Sequence, residues 1–360
     1  MSLSSPPRGH HASPPGLLAP GGERDPYPLY RALRESFPLV RDEHLGAWLI
    51  SRYADVRAVL HATRTRPAAT DPGPDCRDLV EPALRTAAQR IAYVLARRVA
   101  RRHEIDLVAE FSAWLPAAAA VAALGLPGEE SARVREWCRT GPVHGDGVHP
   151  EFAGLLRPHV VRRRERPGTD LLSALCRVRV DGQALSDEAV TARAAALLTG
   201  GGRATALALA SFLANLLDHP AQLELARARP GLIPGAWAES LRRDPPTPVV
   251  PRRARVPITL GGTALPAGSV VACLIGSAGR DPYRFADPDR YDIFRADPAH
   301  LVFGAPGRFR PAATVAGIVA ECGLRALLDA MPGLRWAPGF RPAPGGLMAR
   351  APRLLLVRPS

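Results

Sequence analysis

The 360-residue chain carries 47 basic and 34 acidic residues, a formal charge of +13, with 46% hydrophobic and 22% charged residues. This is the composition of a globular protein, not a disordered one. Every basic residue is arginine, and the arginines are scattered along the chain, whereas a nucleic-acid binder gathers its charge on one face. The apolar run 113–127 contains Pro116 and Gly125 and is shorter than the roughly 20 residues of a membrane span. Five cysteines with no CxxC pair read as reduced thiols in a cytoplasm.

Residues 1–24, rich in Pro and Gly and including His10 and His11, are expected to form a flexible leader with nothing to bury. A single domain is expected over 25–360. Its first pieces are a helix over 28–35, a hairpin of Leu39-Val40 with Trp48-Leu49-Ile50, and a helix over 53–60 with Val56, Val59 and Leu60 on one face. Helical patterns follow from Pro82 to about Arg102 and over 107–125. His144, Asp146 and His149 fall in a Gly-rich loop at spacings that share no helical face, so no metal site is expected. The run Arg162, Arg163, Arg164 and Arg166 reads as a solvated helix end.

Ser186, followed by Asp187 and Glu188, is an N-cap signal. The helix it opens runs to about Leu217 and is interrupted by Gly200, Gly201 and Gly202. Three adjacent glycines predict a kink, or a place where something approaches the backbone closely. A helix around 237–242 stops at Pro245-Pro246. Strands are expected at 258–260 and 269–274. An aperiodic Asp- and Pro-rich loop covers 281–293, followed by a helix over 314–331 and a terminal strand at 353–357. The fold class is mainly α with a minor β-sheet.

The order of these pieces resembles a bacterial cytochrome P450, in shortened form. Glu239-Ser240-Leu241-Arg242 looks like the family's Glu-x-x-Arg helix, and 280–291 like the loop that gives it a third arginine, here at Arg290. Asp25-Pro26-Tyr27-Pro28-Leu29-Tyr30 resembles the family's N-terminal segment. Phe303-Gly304 with Arg308 matches the start of the haem-binding loop. Arg252 and Arg77 match arginines that contact the haem propionates, while Gly73 stands where a propionate histidine usually does.

The family's chemistry needs a cysteine thiolate on haem iron. In the loop Phe-Gly-x-Gly-x-His/Arg-x-Cys-x-Gly, Arg310 occupies the cysteine position, and Pro306 and Ala312 replace glycines. A guanidinium has donors but no lone pair to give a metal. In the long helix the family's proton-delivering acid and alcohol become Arg203 and Ala204, with Thr205 following. The resemblance therefore implies a haem-free, non-catalytic member, like the cytoplasmic auxiliary proteins that bind and activate a partner glycosyltransferase in antibiotic biosynthesis. On that reading there is no cofactor, catalytic residue, nucleic acid or membrane, and Glu239, Arg242 and Arg290 are structural. The alternatives are a monooxygenase with atypical haem ligation, or a haem-free small-molecule binding protein.

Overall fold

The computed structural model describes residues 15–63, 73–140, 150–304 and 311–359. From the N-terminus come α1 (Tyr27–Ser36), the hairpin β1 (Leu39–Asp42) and β2 (Ala47–Ile50), α2 (Tyr53–Ala62) and α3 (Gly73–Val99). Next are β3 (Ile105–Asp106), a short π-helical turn at Val108–Ser112, α4 (Leu115–Ala123), α5 (Glu130–Thr140), α6 (Pro150–Glu165) and α7 (Leu171–Arg177). The small hairpin β4 (Arg179–Val180) and β5 (Gln183–Ala184) leads into α8 (Asp187–Gly200), α9 (Arg203–Leu217), α10 (Pro220–Ala228) and α11 (Ile233–Arg243). The sheet-rich part holds β6 (Val249–Arg253), β7 (Ile258–Leu260), β8 (Thr263–Leu265), β9 (Val270–Leu274) and α12 (Ile275–Ala278). The chain finishes with α13 (Pro311–Ala330), β10 (Arg335–Trp336), β11 (Pro344–Gly345), β12 (Ala351–Pro352) and β13 (Leu356–Arg358).

The main core lies among α3, α4, α8, α9 and α13, with Leu84, Leu115, Leu198, Phe212 and Val319 packed in it. A second core sits under the four-stranded sheet, whose order is β1-β2-β9-β6. The β1–β2 register pairs Leu39 with Ile50, as the hairpin alternation requires, and β9 pairs in parallel with β2 and antiparallel with β6. Strand β6 escaped the sequence reading because Pro251 interrupts it; proline is tolerated there because β6 is an edge strand. Ser186 caps α8 through Oγ, which accepts from the Ala189 N–H at 3.2 Å. Helix α3 begins nine residues before Pro82, which lies inside it, and the expected 107–125 helix splits at Trp114.

Two expectations need correcting. The end of the supposed leader is tied down: Leu17 is 3% exposed, and its N–H donates to Asp42 Oδ2 at 3.0 Å. Arg350 donates to the carbonyls of Glu23 and Arg24 at 3.0 and 2.7 Å. The arginine run is not wholly solvated either. Arg163 donates to the Gly125 carbonyl at 2.6 Å and pairs with Asp170. Arg164 binds Asp187 and the carbonyls of Cys176 and Leu185. The ends of neighbouring helices present unsatisfied carbonyls there, and long guanidinium side chains satisfy them.

By length and composition, 187–217 and Pro311–Ala330 could cross a membrane, but the most apolar 18 residues of each are 67% and 61% buried inside the fold. Their apolarity belongs to the core.

Candidate functional site

The region the sequence singles out has three parts: the break between α8 and α9, the buried charge node on α11, and the segment leading into 305–310. At the break, Gly201 caps α8 and Gly202, extended at φ −87 and ψ −158, opens α9. Each glycine faces a different neighbour. A Cβ on Gly200 would lie 2.9 Å from Ala312 Cα and 3.2 Å from Val315 Cγ2, both in α13. One on Gly201 would lie 2.7 Å from the Pro116 carbonyl oxygen of α4, and one on Gly202 3.0 Å from Cys138 Sγ of α5. The close approach that the glycines predict is therefore made by three helices at once.

Thr205 is 5% exposed, and its Oγ1 donates to the Gly200 carbonyl at 2.6 Å. This bond bridges the break and satisfies a carbonyl that the helix leaves without an amide partner. Arg203 points to solvent and Ala204 is half-buried. Thr205, the residue after Ala204, is the one whose hydroxyl closes the break.

On α11, Glu239 and Arg242 form a bidentate pair at 2.7 and 2.8 Å, both side chains fully buried. Arg242 also donates to the carbonyls of Gly279, Pro288 and Arg290. The third arginine is Arg295, not Arg290: Arg295 Nε lies 3.0 Å from Glu239 Oε2, and Arg290 is exposed. The loop turns so that Arg290 contributes its carbonyl while Asp292 N–H and Arg295 reach Glu239. Nearby, Tyr27 Oη donates to Asp244 Oδ1 at 2.8 Å, with the Arg280 guanidinium stacked on the Tyr27 ring. Burial alone would raise the Asp244 carboxyl, but Arg280 and Arg243 outweigh it and hold it below the ordinary range.

Leading into the loop, Gly304 has φ +78 and its N–H donates to the Leu301 carbonyl. Phe303 lies edge-on to His300 with ring centroids 5.8 Å apart. His300 Nδ1 is shut off from solvent without a hydrogen-bond partner, and burial pushes the imidazole down to about 4. Arg252 is half-buried on β6 and donates to the adjacent Pro251 carbonyl. Arg308 and Arg310 lie outside the described residues, as do His10, His11, His144, Asp146 and His149. Among the described residues no cluster of three metal-ligating side chains occurs.

Haem is the cofactor that the family implies. The residues present do not fit a thiolate-ligated haem. No cysteine occurs between Cys273 and Cys322. Cys273 is buried in β9 with its thiol pushed up to about 12, and Cys322 lies well inside α13. Backbone contact between Gly200 and Ala312 closes the gap between the break and the residues that follow the loop.

The cytochrome P450 family pattern matches residues 234–311, which hold the charge node and the approach to the loop. The chain is 33% identical to the cyclomarin C epoxidase CymV of Salinispora arenicola, over 86% of this chain and 89% of that protein. It is 32% identical to the cytochrome P450 monooxygenase PikC of Streptomyces venezuelae, over 91% and 90% of the two chains. CYP109E1 of Bacillus megaterium, solved with testosterone, superposes with a TM-score of 0.79 at 26% identity, covering 93% of this chain and 99% of that one.

These relatives overturn three expectations. Proteins named as an epoxidase and a monooxygenase point to an enzyme, not a non-catalytic auxiliary. They point to haem as the cofactor, where none was expected. None of these matches concerns a glycosyltransferase, so the activator role is withdrawn. The departures at Arg310, Arg203 and Ala204 are local, whereas the similarity to these relatives spreads over most of the chain. The buried charge node, the glycine break and this near full-length similarity together make the chain a member of the cytochrome P450 family.

Proposed function

We propose that the chain is a haem-binding oxidative enzyme of the P450 type, epoxidising or hydroxylating a small organic molecule, with its iron held by a group other than cysteine. The observation that carries this reading is the buried Thr205 hydroxyl, 2.6 Å from the Gly200 carbonyl. It places a buried hydroxyl at the break, where the family handles protons. The named chemistry of the epoxidase and monooxygenase relatives supports the reaction class. Arg310 cannot be the ligand, because a guanidinium has no lone pair to donate. We place the enzyme in the cytoplasm as one unit that takes in Leu17, Glu23 and Arg24, which are bonded into the fold.

The test is an ultraviolet–visible spectrum of the protein purified from haem-supplemented cells. A stoichiometric Soret band is expected, and its position and response to added imidazole report the ligand type. A flat trace across the Soret region overturns the proposal.

A further inference from the structure

We propose that the cleft between α3, α10 and α13 is a binding site for a small organic monocarboxylate with an apolar tail. The cavity has a volume of about 380 Å³ and shares no lining residue with the glycine break or the charge node. Helical spacing builds its walls. Arg85 and Tyr93 share one face of α3, and Arg325 and Asp329 share one face of α13. The third wall is the stretch from Ala226 to Ile233, where α10 ends and α11 begins.

Arg85, Arg227 and Arg325 line the cleft against one carboxylate, Asp329, which already accepts from the Tyr93 hydroxyl. Glu321, beside the cleft, holds Arg85 at 2.7 Å but Arg325 only at 3.6 Å. Arg227 carries the strongest sign of a missing partner. Its Nη1 donates to the Leu328 carbonyl at 2.6 Å and its Nε donates to Glu224, but its Nη2 is buried with no hydrogen-bond partner. A buried donor left unmet is costly, and an acceptor that meets it gains what the empty site forfeits. The Arg227 side chain as a whole is 24% exposed, so its guanidinium is reachable from the cleft. Asp329 and Glu321 oppose a second negative charge on the guest, which favours a carboxylate over a phosphate dianion. Pro230, Ile233 and Leu328 supply apolar lining for the tail.

Titration calorimetry of the purified chain with octanoate, octanol and inorganic phosphate tests this, read beside amide hydrogen exchange and the variants Arg227→Gln and Arg325→Gln. Octanoate is expected to bind at one site and to slow exchange in 226–233 and 322–329, with octanol and phosphate roughly tenfold weaker. Each variant is expected to weaken octanoate roughly tenfold, the loss of one charge-assisted hydrogen bond. Arg227→Gln also gives up the bond to the Leu328 carbonyl, so if it fails to fold the half-exposed Arg325 carries the test. Octanoate that does not bind, that binds Arg325→Gln as tightly as the wild type, or that leaves both segments unprotected overturns the proposal. Octanol or phosphate binding as tightly as octanoate overturns it as well.

Discussion

The charge node on α11 and the glycine break between α8 and α9 are both buried, and they are assembled by opposite means. At the node each polar atom is matched: two arginines and a backbone amide converge on Glu239, and loop carbonyls take the remaining guanidinium donors. At the break, backbones touch because side chains are missing, and one hydroxyl bridges the gap. A buried charge demands specific partners, whereas close backbone approach demands only the absence of a Cβ. The first kind of region resists drift in its side chains, while the second tolerates changes such as Arg203 and Ala204 as long as the glycines stay.

The largest test of this contrast is Glu239→Gln, which leaves Arg242 and Arg295 buried without their shared carboxylate. It should cost about 3–5 kcal/mol in urea unfolding, or prevent folding. A cost below 1 kcal/mol would mean that the node is no stronger than a surface pair.

The next test lies at His300. Its folded pKa, about 4, is below its unfolded value of 6.5, so the unfolded state binds the extra proton first. The stability that this neutral burial contributes is complete above pH 6.5 and is lost as pH falls toward 4, at about 3 kcal/mol. His300→Phe should flatten that slope, and parallel pH profiles for the two proteins would refute the assignment.

Arg295→Ala should cost about 2 kcal/mol by removing its bonds to Glu239 and the Ala286 carbonyl. Arg290→Ala should stay within about 0.5 kcal/mol. Equal losses from the two variants would restore Arg290 as a partner. Two glycine substitutions are expected to have opposite signs. Gly201→Ala should destabilise by about 1–2 kcal/mol against the Pro116 carbonyl. Gly154→Ala, in mid-helix with nothing within 4 Å of a new Cβ, should stabilise by about 0.5–1 kcal/mol. Two changes of the same sign would remove the packing explanation.

Local signals made much of the fold legible. The Ser186 cap, the hairpin alternation at 39–50 and the proline stop after Arg243 each act within a few residues. Glu239 and Arg242 were legible as neighbours on one helix face. Arg295 was not, because its place depends on how the 286–295 loop turns back over α11. Arg163 and Arg164 looked solvated, since the carbonyls they satisfy come from residues up to 38 positions away. At the break, the glycines announced a close approach but not which helices make it. The Arg310 substitution was plain to read, yet it fixed only what the iron ligand is not.

The stitching of Glu23 and Arg24 to the far end of the chain bears on the order of events during synthesis. Glu23 and Arg24 emerge from the ribosome early, while Gly346 and Arg350, which hold their carbonyls, emerge only after more than three hundred further residues. The Glu23 and Arg24 carbonyls must therefore wait for these partners until translation is almost complete. A truncation before Gly346 should leave this segment open to proteases even where the helical core has formed.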